Sequence, residues 1–165
     1  MESAQKHIIS IYVSNKPGVL IRVALVFARR GYNIDSLVVS TAKDPSFSRM
    51  TITATGDPKT LDLMLKQLNR LVDVIHAKDM TQKEVIKSEL AMIKIECSPS
   101  QRPEVLQTAN AFKCKVIDIT EKALSFQVSG PTEKIESAIK IFDPYGIIEV
   151  VRSGNILIAR GHDKT

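Results

Sequence analysis

Apolar and polar positions change their period several times along the chain, and each change marks an element. His7-Ile8-Ile9-Ser10-Ile11-Tyr12-Val13 is rich in β-branched residues and predicts a strand. Leu20, Val23, Ala24 and Phe27 then recur at i, i+3, i+4 and i+7, the apolar stripe of a helix, and Gly31 follows as its C-cap. Residues 33–41 predict a second strand centred on Leu37, Val38 and Val39, and residues 42–48 a polar turn holding Asp44-Pro45. Residues 49–55 alternate with period two, the mark of a sheet with one covered face. Gly56-Asp57-Pro58 stops that strand and opens a helix whose stripe is Leu61, Met64, Leu65 and Leu68. Residues 71–77 close the unit as a fourth strand, in the order β-α-β-β-α-β of a split βαβ sandwich.

The same order recurs in the second half. Residues 80–88 carry turn and charged side chains with little apolar pattern, which predicts a linker between a first unit, 1–79, and a second, 89–165. In the second unit, 90–97 predicts a strand and Val105, Leu106, Ala109 and Phe112 a helix stripe. Residues 115–119 and 124–129 predict a strand pair turning at Thr120-Glu121-Lys122. Ile135, Ala138, Ile139 and Phe142 mark another helix, residues 147–152 a strand, and residues 156–159 one extra edge strand. The fold class is therefore α+β, two ferredoxin-like βαββαβ units in tandem. Each has roughly 75 residues, a size that buries only about 60–65% of its unfolded surface, so sheet edges and an uncovered sheet face call for partners.

Composition narrows this picture. The 165 residues are 44% hydrophobic, as in a globular domain and unlike a disordered one. The longest apolar run, residues 23–28, is too short to span a bilayer, and the first residues lack a signal-peptide core. A cytoplasmic protein is expected, a plastid stroma being the other setting considered. Cys97 and Cys114 stand alone without metal-type spacing, and His7, His76 and His162 have no ligand-like neighbours, so neither a disulfide nor a metal site is expected. The net charge of +5 raises nucleic acid as a partner, but the basic residues are spread along the chain and mixed with acids. RNA-recognition modules share the βαββαβ order and stack bases on aromatic residues of their central strands. Residues 49–55 contain no aromatic residue and the first strand offers only Tyr12, which argues against that class.

The candidate chemistry lies in Asn15-Lys16-Pro17-Gly18-Val19-Leu20, the connection from the first strand to the first helix. A helix start presents free N–H groups and a partial positive charge, which favour a carboxylate or phosphate. Pro17 restricts the chain, Gly18 lets backbone approach a ligand, and the Asn15 carbonyl can accept from an ammonium group. A zwitterion such as a free amino acid fits these parts. The same residues also suit an ordinary turn.

This loop, followed by Gly31-Tyr32-Asn33-Ile34-Asp35-Ser36-Leu37, resembles the amino-acid-binding ACT domain of acetolactate synthase small (regulatory) subunits. Ser48-Arg49-Met50-Thr51-Ile52, Gln67-Leu68-Asn69-Arg70-Leu71-Val72-Asp73-Val74, Glu89-Leu90-Ala91-Met92-Ile93-Lys94-Ile95 and Val150-Val151-Arg152-Ser153-Gly154 extend the similarity over residues 7–161. The resemblance implies that the first unit is an ACT domain and forms a homodimer edge to edge. It implies a chain without catalytic residues or cofactor of its own, thiamine diphosphate, magnesium and FAD belonging to the large catalytic subunit. It also implies two tasks: activating that subunit and carrying feedback inhibition by valine or another branched-chain amino acid. Asn15, Gly18, Val19 and Leu20 would hold the ligand's amino and carboxylate groups, with Asn33 and Ile34 contributed by the dimer partner. Ile21 stands where relatives often carry a smaller or polar residue, and a core-facing role is the simple expectation for it. An ACT sensor acting alone, on another enzyme or on transcription, is the alternative. No Ser/His/Asp arrangement, phosphate-binding G-x-x-x-x-G-K-[ST] or G-x-G-x-x-G occurs.

Overall fold

The computed structural model describes residues 5–165. The described residues form two compact units, residues 5–86 with 155–165 and residues 87–154. In the first, β1 (Gln5–Ser14), α1 (Val19–Arg29), β2 (Asn33–Thr41), β3 (Phe47–Gly56), α2 (Pro58–Leu68) and β4 (Val74–Asp79) form an antiparallel sheet in the order β2-β3-β1-β4. The second repeats the plan with β5 (Val85–Glu96), α3 (Arg102–Ala111), β6 (Lys115–Ile119), β7 (Ala123–Gly130), α4 (Thr132–Phe142) and β8 (Ile147–Arg152), in the order β6-β7-β5-β8. Two βαββαβ units in tandem are thus what the chain forms.

The period-two strands explain where the first core sits. Ile9, Ile11 and Val13 of β1 and Met50, Ile52 and Ala54 of β3 point to the helical side, where Val23, Phe27, Met64 and Leu68 meet them. Fully burying side chains of this size contributes about 1.5–3 kcal/mol each before the entropic cost of ordering them. The second unit assembles Ile93, Ile95, Phe126, Ile135 and Phe142 in the same way. Phe126 and Phe142 stack with ring centroids 4.9 Å apart. Cys97 is buried as a small apolar residue, and both cysteines are free.

Several boundaries differ from the expectation. The α1 stripe is Val19, Val23, Val26 and Phe27, while Leu20 is 41% exposed. Val19, Val23, Val26 and Phe27 also recur at helical spacing, so periodicity alone admitted either face. β4 begins at Val74, because Asn69 clasps it: its Nδ2 donates to the Ala77 carbonyl at 3.0 Å and its Oδ1 accepts the Ala77 N–H at 2.8 Å. The span 80–88 is a short turn followed by β5 from Val85, and β9 (Ile156–Ala159) supplies that strand with a pairing partner. The expected edge strand exists as β9 (Ile156–Ala159) and pairs with β5, but residues 155–165 group with the first unit. The Arg160 N–H reaches the Glu84 carbonyl, and Lys78 Nζ donates to the Lys164 carbonyl at 2.9 Å.

Gly56 shows how tightly the first core closes. A Cβ placed there would sit 2.6 Å from the Tyr32 ring, and the Tyr32 hydroxyl is anchored on the Asp57 carbonyl. Replacing Gly56 with Ala therefore forces the ring off its anchor. We expect a loss of about 2 kcal/mol, the cost of overpacking a filled site, measurable by urea denaturation. An unchanged midpoint would show that the ring shifts freely.

Candidate functional site

The strand-to-helix loop is held from two sides. The Ser14 N–H donates to the Asp73 carbonyl at 2.8 Å, and the Asn15 N–H to the Ser46 carbonyl at 2.8 Å. The Asn15 side chain donates through Nδ2 to the Pro45 carbonyl at 3.0 Å, a bond that does not use its Oδ1. Gly18 is the N-cap of α1 and adopts φ 81°, ψ −8°, the left-handed region that costs a residue with a Cβ roughly 1–2 kcal/mol. No side chain caps this helix and its first turn carries no acid. The Val19 N–H makes only a 3.4 Å contact to the Lys16 carbonyl. The N–H groups of Leu20 and Ile21, which a helix cannot satisfy internally, remain for solvent or a ligand. α2 shows the contrast: its N-cap Asp57 accepts from the Lys59 N–H.

Two charged residues that the sequence reading did not single out complete this corner. Arg22 donates from Nη2 to an Asp73 carboxylate oxygen, and its Nη1 lies 3.4 Å from where a Gly18 Cβ would stand. The i, i+4 spacing from Gly18 to Arg22 was visible, but Asp73 approaches only because β4 lies beside β1.

Asn15, Gly18, Val19 and Leu20 are brought together; Asn33 and Ile34 are not. Asn33 pairs with Thr55 on β3, and Thr55 pairs with Lys6 near the start of β1. Asn15 follows Ser14, the last residue of β1. Strand rise between residues 6 and 14 is about 26 Å, so the two halves lie at opposite ends of the sheet. Asn33 is exposed and donates from Nδ2 to Asp35 Oδ1 at 2.6 Å, while Ile34 packs partly into the core. Val19 is buried, so its contribution to the loop surface is its backbone.

The surface between these ends is apolar. Ile21, expected to face the core, is 66% exposed, and Leu20, Leu25, Leu37 and Val39 are exposed with it. The last two lie on β2, an edge strand with unpaired main-chain groups along one side.

Both units of the chain find matches among known proteins. Residues 9–76 match the family model of the acetohydroxyacid synthase (AHAS) small subunit-like ACT domain, and residues 88–161 that of the small subunit of acetolactate synthase. The probable acetolactate synthase small subunit of Methanothermobacter thermautotrophicus is 42% identical over 156 residues, 94% of this chain and 93% of that protein. The acetolactate synthase small subunit of Mycolicibacterium smegmatis is 37% identical over 155 residues, 94% of this chain and 91% of that protein. The crystal structure of the small subunit from Thermotoga maritima superposes with a TM-score of 0.85 at 31% identity, covering 96% of this chain and 99% of that one.

Proposed function

The chain belongs to the family of acetolactate synthase small subunits, and we propose on that premise that it binds valine or a related branched-chain amino acid to regulate the large catalytic subunit. Bound ligand inhibits; the ligand-free small subunit activates. Thiamine diphosphate, magnesium and FAD act in the large subunit, and the pair works in the cytoplasm. In this reading the α-carboxylate rests on the uncapped first turn of α1, where the helix dipole and the Arg22 guanidinium both favour negative charge. The Asn15 carbonyl accepts from the α-ammonium group. The β2 edge and the apolar face of Ile21, Leu25, Leu37 and Val39 join two copies about a two-fold axis. That brings Asn33 and Ile34 of the second copy to the ligand.

The observation that carries the reading is a helix start left without side-chain cap or acid beside a paired guanidinium. Gly18→Asp tests it. Asp is among the residues that enter the left-handed region most readily, and its carboxylate would lie next to Arg22 and take the donors meant for the ligand. We expect the variant to fold, to stimulate the large subunit, and to lose valine inhibition. Calorimetry that finds normal valine affinity would place the ligand elsewhere. A stand-alone sensor is distinguished by pull-down: the purified chain should retain the large subunit.

A further inference from the structure

A concavity of about 470 Å³ opens on the first unit, lined by Tyr12, Lys43, Arg49, His76, Lys164 and Thr165, with Ser40 and Thr41 also in its wall. Among the described residues, its lining includes three permanent cations and no acidic side chain. Arg49 is held in place: its guanidinium lies 5.1 Å from the centre of the Tyr12 ring, and Tyr12 is itself stacked between Phe47 and His76. Arg49 Nη1 donates to the main-chain oxygen of Thr165 at 2.7 Å and approaches Ser10 Oγ at 3.4 Å. An acceptor oxygen is therefore already accommodated at this guanidinium, which an incoming anion would share with Thr165 or take from it.

We propose that this concavity is a phosphate-binding site, in which Arg49, Lys43 and Lys164 hold a phosphate dianion, free or carried on a small ester, beside the Tyr12 ring. Like charges gathered around one cavity repel each other, and an anion relieves that repulsion. A dianion matches the site better than a monocarboxylate, because Arg49 presents a fork of donors and the two lysines supply point charges from other directions. The site shares no residue with the proposed valine loop.

His76 provides an independent reporter. Burial and the charges of Lys78 and Arg49 hold its imidazole below the usual histidine range. The charged and titratable side chains lining the cavity with it are Tyr12, Lys43, Arg49 and Lys164, and Ser40, Thr41, Ala42 and Thr165 complete the lining. A bound dianion opposes the cationic terms, so its presence should raise the His76 pKa.

The experiment is titration of the full-length protein with inorganic phosphate and, separately, with ribose 5-phosphate, at fixed ionic strength set with chloride. Binding is followed by calorimetry and the His76 ring protons by NMR. We expect saturable binding of one equivalent per chain and an upward shift of the His76 pKa. Tighter binding of the ester would identify the carried form as the preferred ligand, and equal affinity the free ion. Losing one charge-assisted contact in Arg49→Gln or Lys43→Gln should weaken binding about tenfold. Lys43 lies in an exposed turn, so its variant reports on binding even if Arg49→Gln disturbs the Tyr12 stack. No saturable binding of either probe, or full affinity in Lys43→Gln, overturns the proposal.

Discussion

Gly18→Asp chains and Asn33→Ala chains should each fail to bind valine alone, and heterodimers formed from the two should recover half of the wild-type sites. The expectation follows from sheet register. Asn33 lies level with the beginning of β1 and Gly18 beyond its end. α1, with its 11 residues, separates the same two points along the helical layer by about 16 Å. One amino acid cannot touch both ends within a chain. In the proposed two-fold dimer, the α1 start of one copy would meet the β2 start of the other, which would give two sites per dimer. In a mixed dimer one site combines both intact halves and the other carries both lesions. Neither change should prevent folding: the Asn33 side chain is exposed and donates to Asp35 at the surface, and Gly18 lies in an exposed loop. Calorimetry on differentially tagged, purified heterodimers gives the stoichiometry. Half-occupancy fits the shared site, whereas zero recovery means that each site is built from one chain.

The second large effect concerns stability. Glu89 is an ionisable residue with a side chain only 2% exposed, and Arg152 meets it with two donors, Nε to Oε2 at 3.3 Å and Nη2 to Oε1. The pair ties β5 to β8 beside the Ala91–Arg152 register position. Replacing Arg152 with Leu would leave the carboxylate buried without its counter-charge, which should cost about 3 kcal/mol. Replacing both residues with Met removes the charge and the need for it, and most of the loss should return. Urea denaturation of the second-unit transition measures both variants. A single-variant loss under about 1 kcal/mol would mean that the carboxylate finds water in place of Arg152.

Much of the architecture is legible in the sequence. The stripe Leu61, Met64, Leu65 and Leu68, the strand through Ile9, Ile11 and Val13, and the turn at Gly56-Asp57-Pro58 all appear where the apolar pattern predicts them. These signals are local: a helix or half-covered strand repeats its burial within a few residues, and one polar or apolar choice per position records it. The loop 15–20 was legible for the same reason, because strand, turn residues and helix are contiguous.

The sequence by itself determined two βαββαβ units and the helix start that Gly18 opens. Only tertiary structure decided which face of α1 is core, because Leu20 and Val19 satisfy the same spacing and the sheet beneath admits one of them. It decided that Asp73 meets Arg22, residues 51 positions apart, since no periodicity encodes the approach of β4 to β1. It decided that residues 155–165 return to the first unit and that Thr165 reaches Arg49, contacts separated by most of the chain. Long-range contacts depend on the summed fit of whole surfaces, and no single stretch of sequence carries that sum.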